Sequence, residues 1–250
     1  MALAAPSTEP ATVLAPGVTL DHSSRWVSIH FDEPRPVLSS AVLHGGLVRT
    51  RHWLNLKVID NPEDGVDHPA DTLAEIIQRQ GWPGDTVAMM TAASMQSLRL
   101  RAAAIEQQSL LVAVTSGLAN ARRVGDRAEY RHLLDPVPSV GTINLAVISD
   151  LSLTPCVMVE ALMVVTEAKA AVLEEQGTRS PVSGALATGT GTDALAIFGR
   201  DGGPTPRYAG KHTLLGETLG RLACSAIADS VTGTGPTFAT LPLKPAGEHP

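Results

Sequence analysis

The chain has 250 residues, 44 % of them apolar but only 3 % aromatic, and a formal net charge of −6. That length suits one domain with an aliphatic core, and the apolar content excludes a chain disordered throughout. The basic residues are scattered, with Arg122-Arg123 the main exception, so no positive footprint for nucleic acid is visible.

Residues 1–16 and 232–250 are rich in Ala, Pro, Gly and Thr and lack periodicity. They read as disordered tails around one domain spanning 17–231. The start of the chain lacks the basic and apolar regions of a signal peptide. No run of ~18 apolar residues is present, which argues against a membrane span. Cys156 and Cys224 lie in apolar segments without zinc spacing. They read as buried free thiols, which fit a cytoplasmic location.

In chain order, strands are expected at Trp26–Phe31, Val37–Leu43, Asp85–Met90, Leu110–Thr115, Thr142–Ser149 and Asp193–Phe198. Each is short, aliphatic and bounded by turn formers. Helices are expected at Ala70–Arg79, at Ser94–Gln107, from Thr154-Pro155 to Gln176, and at Thr213–Val231. Thr154-Pro155 is an N-cap and N1 pair, and Gly177 marks a stop. Gly216 and Gly220 in the last helix leave room for another backbone. Strands interleaved with helices predict an α/β or α+β fold, a single layered domain with a mixed β-sheet packed by helices.

Four blocks could carry chemistry. Thr188-Gly189-Thr190-Gly191-Thr192-Asp193 combines open backbone amides, hydroxyls and a carboxylate at the mouth of an apolar strand. It reads equally as a tight turn, and it precedes a strand, unlike a dinucleotide fingerprint. Tyr208-Ala209-Gly210-Lys211-His212-Thr213 places Lys211 and His212 at a helix N-terminus that favours anions. His212 could act as acid or base or be a surface histidine. Its spacing is not that of a phosphate loop. Glu160 and Glu167, seven apart, share a face of the longest helix, either lining a cavity or pairing with Lys169 or an Arg at its edge. The loop at 115–126 offers Asn120 and Arg122, and Asn144 is an unexpected polar residue in a strand. Ser40 is a further nucleophile candidate, though without a nucleophile-elbow context. The histidines show no metal spacing, so no metal or cofactor is expected.

Six strings occur together and in one order: SSAVLHGG (39–46), SGLANARRVGD (116–126), GTINLAVISD (141–150), MVEALMVVTEAKAAVLEEQG (158–177), ATGTGTDALAI (187–197) and YAGKHTLLGETLGR (208–221). Over about 37–231 the chain resembles the adenosylcobinamide amidohydrolases of cobinamide salvage. The resemblance implies hydrolysis of the amide joining aminopropanol to the corrin's propionyl arm, with adenosylcobyric acid and 1-amino-2-propanol as products. The corrinoid is then substrate rather than cofactor.

The resemblance assigns no residue roles, so these follow from what amide hydrolysis requires. Asp193 and His212 are expected as a base–orienter pair acting on water. The amides of Gly189 and Gly191, with Thr190 or Thr192, would hold the oxyanion, and Glu160 or Glu167 would protonate the amine. A covalent route through Thr190, Thr192 or Ser40 stays open. Asn120, Arg122 and Asn144 would contact the corrin's amides, with Ser40 and Lys211 as further substrate contacts. Competing readings are a corrinoid carrier without catalysis and a nucleotide-phosphate binder. A homo-oligomer is compatible with the sequence.

Overall fold

The computed structural model describes residues 11–58, 69–129 and 142–243. Strands β1 (Thr12–Ala15) and β2 (Val18–His22) form a hairpin on one edge of β3 (Trp26–Ser39), and β4 (Gly46–Lys57) returns along the other edge. Helix α1 (Pro69–Gln80) leads to β5 (Val87–Thr91), which joins β4 in parallel. A second hairpin of β6 (Arg99–Ile105) and β7 (Gln108–Ser116) precedes the short β8 (Ala121–Arg122). β9 (Ile143–Ser149) pairs with β7 and is followed by the long helix α2 (Pro155–Glu175). β10 (Gly189–Thr190) makes a small ladder with β8, and β11 (Ala194–Phe198) runs parallel to β9. Helix α3 (Leu214–Thr232) and β12 (Phe238–Thr240), parallel to β6, complete the chain.

The main sheet has ten strands and curls on itself. The bend lies in β3, where the pairing with β4 shifts register between His30 and Arg35. The first half of β3 pairs with β2, and its last residues pair antiparallel with β11. The inner faces then meet. Val27, Ile29, Trp53, Val87 and Met89 pack against Leu111, Ala113, Ala146, Ile148, Ala196 and Phe198. The intervening strand residues face outward, where Leu145, Val147, Leu195 and Ile197 receive α2 and α3. On the opposite outer face Leu54, Leu56, Ala88 and Met90 receive Leu73 and Ile77 of α1. This strict alternation is the period-2 geometry of a strand buried on both sides. It yields the expected single α+β domain with a mixed sheet.

The helix termini follow their side chains. The Thr154 hydroxyl accepts from Val157 N–H at 3.4 Å, and α2 stops at Gln176 before Gly177, whose φ is 65°. The Thr213 hydroxyl caps α3 through Gly216 N–H at 3.0 Å, and Gly233, with φ 69°, closes it. A Cβ at Gly216 would meet the carbonyls of Ala209 and Gly210, so close backbone approach is required there. At Gly220 a Cβ would only touch Val164 at 3.7 Å, an ordinary contact.

Several expectations need correction. Ser94–Gln107 is not a helix. Ser94 caps a single 3-10 turn, Met95–Ser97, and β6 follows. Pairing with β7 overrides the helix propensity of this Ala- and Arg-rich segment, and Glu106 and Gln107 form its turn with φ of 47° and 70°. The two strands expected at Trp26–Phe31 and Val37–Leu43 are one strand through Ser39, and β4 was not expected at all. Parts of both supposed tails are ordered, since β1 joins β2 and β12 joins β6; 1–10 and 244–250 lie outside the described residues. Cys156 is exposed at the start of α2 rather than buried, and Cys224 is half-buried.

Candidate active site

Where the two halves of the sheet overlap, the inner face turns from apolar to polar. Asn144 on β9 is fully buried and donates to Asn55 Oδ1 on β4 at 2.7 Å and to the Met90 carbonyl on β5 at 2.9 Å. Asn55 in turn donates to Thr115 Oγ1 on β7 at 2.7 Å. The Thr142 hydroxyl donates to the carbonyl of Thr192 at 2.6 Å and lies 3.2 Å from Asn144 Oδ1. Both N–H groups of Asn144 are therefore engaged inside the protein. It ties the halves together and has no donor left for a corrin amide, contrary to its expected role.

This network leads to Asp193 at the entrance of β11. Its Oδ1 accepts from the Thr190 hydroxyl at 2.5 Å and from Ile143 N–H at 3.0 Å. Its Oδ2 accepts from Thr190 N–H at 3.0 Å and forms an ion pair with Lys169 of α2. The side chains of Lys169 and Asp193 are only 8 % and 9 % exposed, so the pair is shielded from solvent. Gly189 makes room for it. A Cβ there would lie 3.0 Å from Lys169 Nζ and collide with Asp193 Oδ2. Thr190 is half-buried and Gly191 exposed, so the shielded pair sits just behind a partly exposed turn.

The neighbouring groups fall in place around this centre. Gly191 N–H donates to the Asn120 carbonyl at 3.3 Å, and a Cβ on Gly191 would lie 3.2 Å from Asn120 Nδ2. Thr188 N–H donates to the Arg122 carbonyl at 2.8 Å, fixing the β8–β10 ladder against the same loop. Arg122 is ion-paired with Glu129. Ser40, exposed at the end of β3, accepts from Leu195 N–H at 3.1 Å.

The remaining expected residues form a second group. Glu160 accepts from Ala209 N–H at 2.6 Å, and Glu167 is ion-paired with Lys211 on the surface. Both carboxylates fasten the loop before α3 to α2. At 3.6 residues per turn, Lys169 projects from the side of α2 opposite Glu160. His212 is exposed next to Gly210. The expected Asp193–His212 pair is not formed, because Asp193 is held by Lys169, Thr190 and Ile143. Lys169 itself was missed as a partner of Asp193. Its signal was a single lysine in the apolar run of α2, which needs an opposite charge to be buried.

Among the described residues no group of three or more His, Cys, Asp or Glu side chains is arranged to hold a metal. No helix among them is long and apolar enough to cross a membrane. A shielded carboxylate that accepts a hydrogen bond from the hydroxyl of a half-buried threonine is an arrangement suited to proton transfer in acyl chemistry.

The family model for adenosylcobinamide amidohydrolase matches residues 13–235. The chain belongs to that family. The match takes in every element from β2 to α3 and thus the whole Lys169–Asp193–Thr190 centre. An adenosylcobinamide amidohydrolase of Methanosarcina mazei is 26 % identical over 191 residues, covering 72 % of this chain and 82 % of its own. An uncharacterised protein of Methanocaldococcus jannaschii is also 26 % identical, over 237 residues that cover 89 % of this chain and 91 % of its own. The name of the adenosylcobinamide amidohydrolase family implies amidohydrolase chemistry.

Proposed function

We propose that this chain hydrolyses the amide between aminopropanol and the propionyl arm of adenosylcobinamide, releasing adenosylcobyric acid and 1-amino-2-propanol for cobalamin salvage. The observation that carries the reading is the family match across 13–235, which contains a shielded carboxylate hydrogen-bonded to the Thr190 hydroxyl. The scissile bond suits such a site. It lies on a flexible arm at the rim of the macrocycle, so only the arm has to approach Thr190. The half-buried Asn120 and Arg122 flank the centre and suit contacts with the ring's other amides. Two free cysteines support action in the cytoplasm.

The test is incubation of purified, chelator-treated protein with adenosylcobinamide, followed by mass spectrometry. Adenosylcobyric acid and free aminopropanol are the expected products. Intact substrate, with and without added divalent metal, in a protein that still binds the corrinoid would reject hydrolysis in favour of a carrier role.

A further inference from the structure

Hydrolysis of an amide at this site needs a nucleophile, and the hydroxyls of Ser40 and Thr190 both lie near the entrance of β11. They differ in what surrounds them. The Ser40 oxygen accepts a hydrogen bond from Leu195 N–H, which does nothing to withdraw its proton. Thr190 directs its hydroxyl proton at Asp193 Oδ1 over 2.5 Å, the geometry of a nucleophile on its general base. The carboxylate cannot swing away, because Thr190 N–H and Ile143 N–H each hold one of its oxygens at 3.0 Å and Lys169 holds Oδ2 from behind. The glycine at 189 keeps the space in which that pair lies free of side-chain atoms.

We propose that Thr190 is the nucleophile, that Asp193 takes its proton, and that Lys169 is the positioning residue for Asp193. This rests on the amide-hydrolase reading above. In the first half-reaction Thr190 Oγ1 bonds to the amide carbon and its proton passes to Asp193. Collapse of the tetrahedral intermediate breaks the C–N bond, and the same proton moves to the departing nitrogen, which leaves as 1-amino-2-propanol. The corrinoid acyl group remains as an ester on Thr190. Water then attacks the ester, Asp193 accepts a proton from it and returns it to Thr190 Oγ1, and the free acid leaves. Glu160 and Glu167 take no part, being tied to Ala209 N–H and Lys211.

The ester makes the mechanism testable, because hydroxylamine competes with water for it. Native enzyme is assayed with adenosylcobinamide and rising hydroxylamine, and aminopropanol, acid and hydroxamate are quantified. The proposal expects hydroxamate to replace acid while total corrinoid product equals aminopropanol. Thr190→Ala is expected to lose turnover by at least ~10³-fold, whereas Thr190→Ser, which keeps the hydroxyl, retains both turnover and hydroxamate formation. Acid with no hydroxamate at any hydroxylamine concentration overturns the covalent route, as does Thr190→Ala turnover within ~10-fold of native. For Lys169→Met, kcat per folded molecule, with the folded fraction taken from denaturation curves, is expected to fall ~10²-fold with KM little changed. An unchanged kcat per folded molecule overturns the positioning role. Absence of aminopropanol release by native enzyme would instead reject the amide-hydrolase reading itself.

Discussion

Lys169→Met isolates the energetic role of the buried ion pair. Methionine nearly matches the lysine stem in volume, so the change removes the ammonium while leaving most of the packing on α2 intact. With side chains 8 % and 9 % exposed, the pair is far from the solvated regime in which surface ion pairs contribute little. Removing one member of a buried pair costs about 3–5 kcal/mol, since the other charge stays behind uncompensated. Asp193 keeps the Thr190 hydroxyl and the N–H groups of Thr190 and Ile143, which places the loss near the lower end, about 3 kcal/mol. For a domain of this size that lowers Tm by about 6–12 °C. Urea denaturation followed by circular dichroism reads the change as a lower midpoint at constant m. Adding Asp193→Asn should recover about 1–2 kcal/mol, because the orphaned charge is gone, while activity stays lost. A single-variant loss below about 1 kcal/mol would show the pair to be hydrated and refute the reasoning.

Gly189→Ala should cost about 1–3 kcal/mol and most of the turnover, since its Cβ meets Asp193 and Lys169; native-like kinetics would show that the pair can shift at no cost. Asn55→Ala leaves an N–H of Asn144 and the hydroxyl of Thr115 without their partner and should destabilise by about 2–3 kcal/mol in the same urea assay. His212→Ala should keep turnover within about threefold of native, because the exposed ring makes no bond to Asp193. His52 is fully buried, and burial, helped by the stacked His30 ring at 4.1 Å, lowers its pKa to about 3. The folded state therefore resists protonation that the unfolded chain accepts near pH 6.5. Its stability is complete above that pH and is lost as pH falls toward 3, by about 2 kcal/mol at pH 5. Chemical denaturation across pH 4–8 should show this slope in the native protein and a reduced one in His52→Leu.

Local signals were enough where a segment's state is decided by its own residues. Thr154, Pro155 and Gly177 delimit α2 in the sequence much as they do in the structure, and Thr213 marks α3. The aliphatic runs of β7, β9 and β11 announced buried strands. β6 was misread because its Ala, Arg and Leu residues favour a helix in isolation, and Glu106-Gln107 lacks the Asn-Gly chemistry that advertises a tight hairpin. β4 was hidden by Arg49, Arg51 and His52, which break the apolar pattern. At the site, Asp193 and Thr190 were legible as a reactive local motif, three residues apart. Lys169, 24 residues away from Asp193 on a helix, became visible as its partner only through the packing of α2 on the sheet.

The double pairing of β3 also sets an order of assembly. Ser39 donates its hydroxyl to the carbonyl of Leu195, 156 residues further on. On a growing chain the end of β3 emerges long before β11 exists to cover it. Closing so large a loop is entropically slow and leaves the strand edge open to pairing with other chains in the meantime. Because Asp193 stands directly before β11, the proposed catalytic centre is completed by the same late step. Folding yield on the ribosome and active-site formation should therefore rise and fall together, with nascent β3 as the segment most in need of chaperone protection.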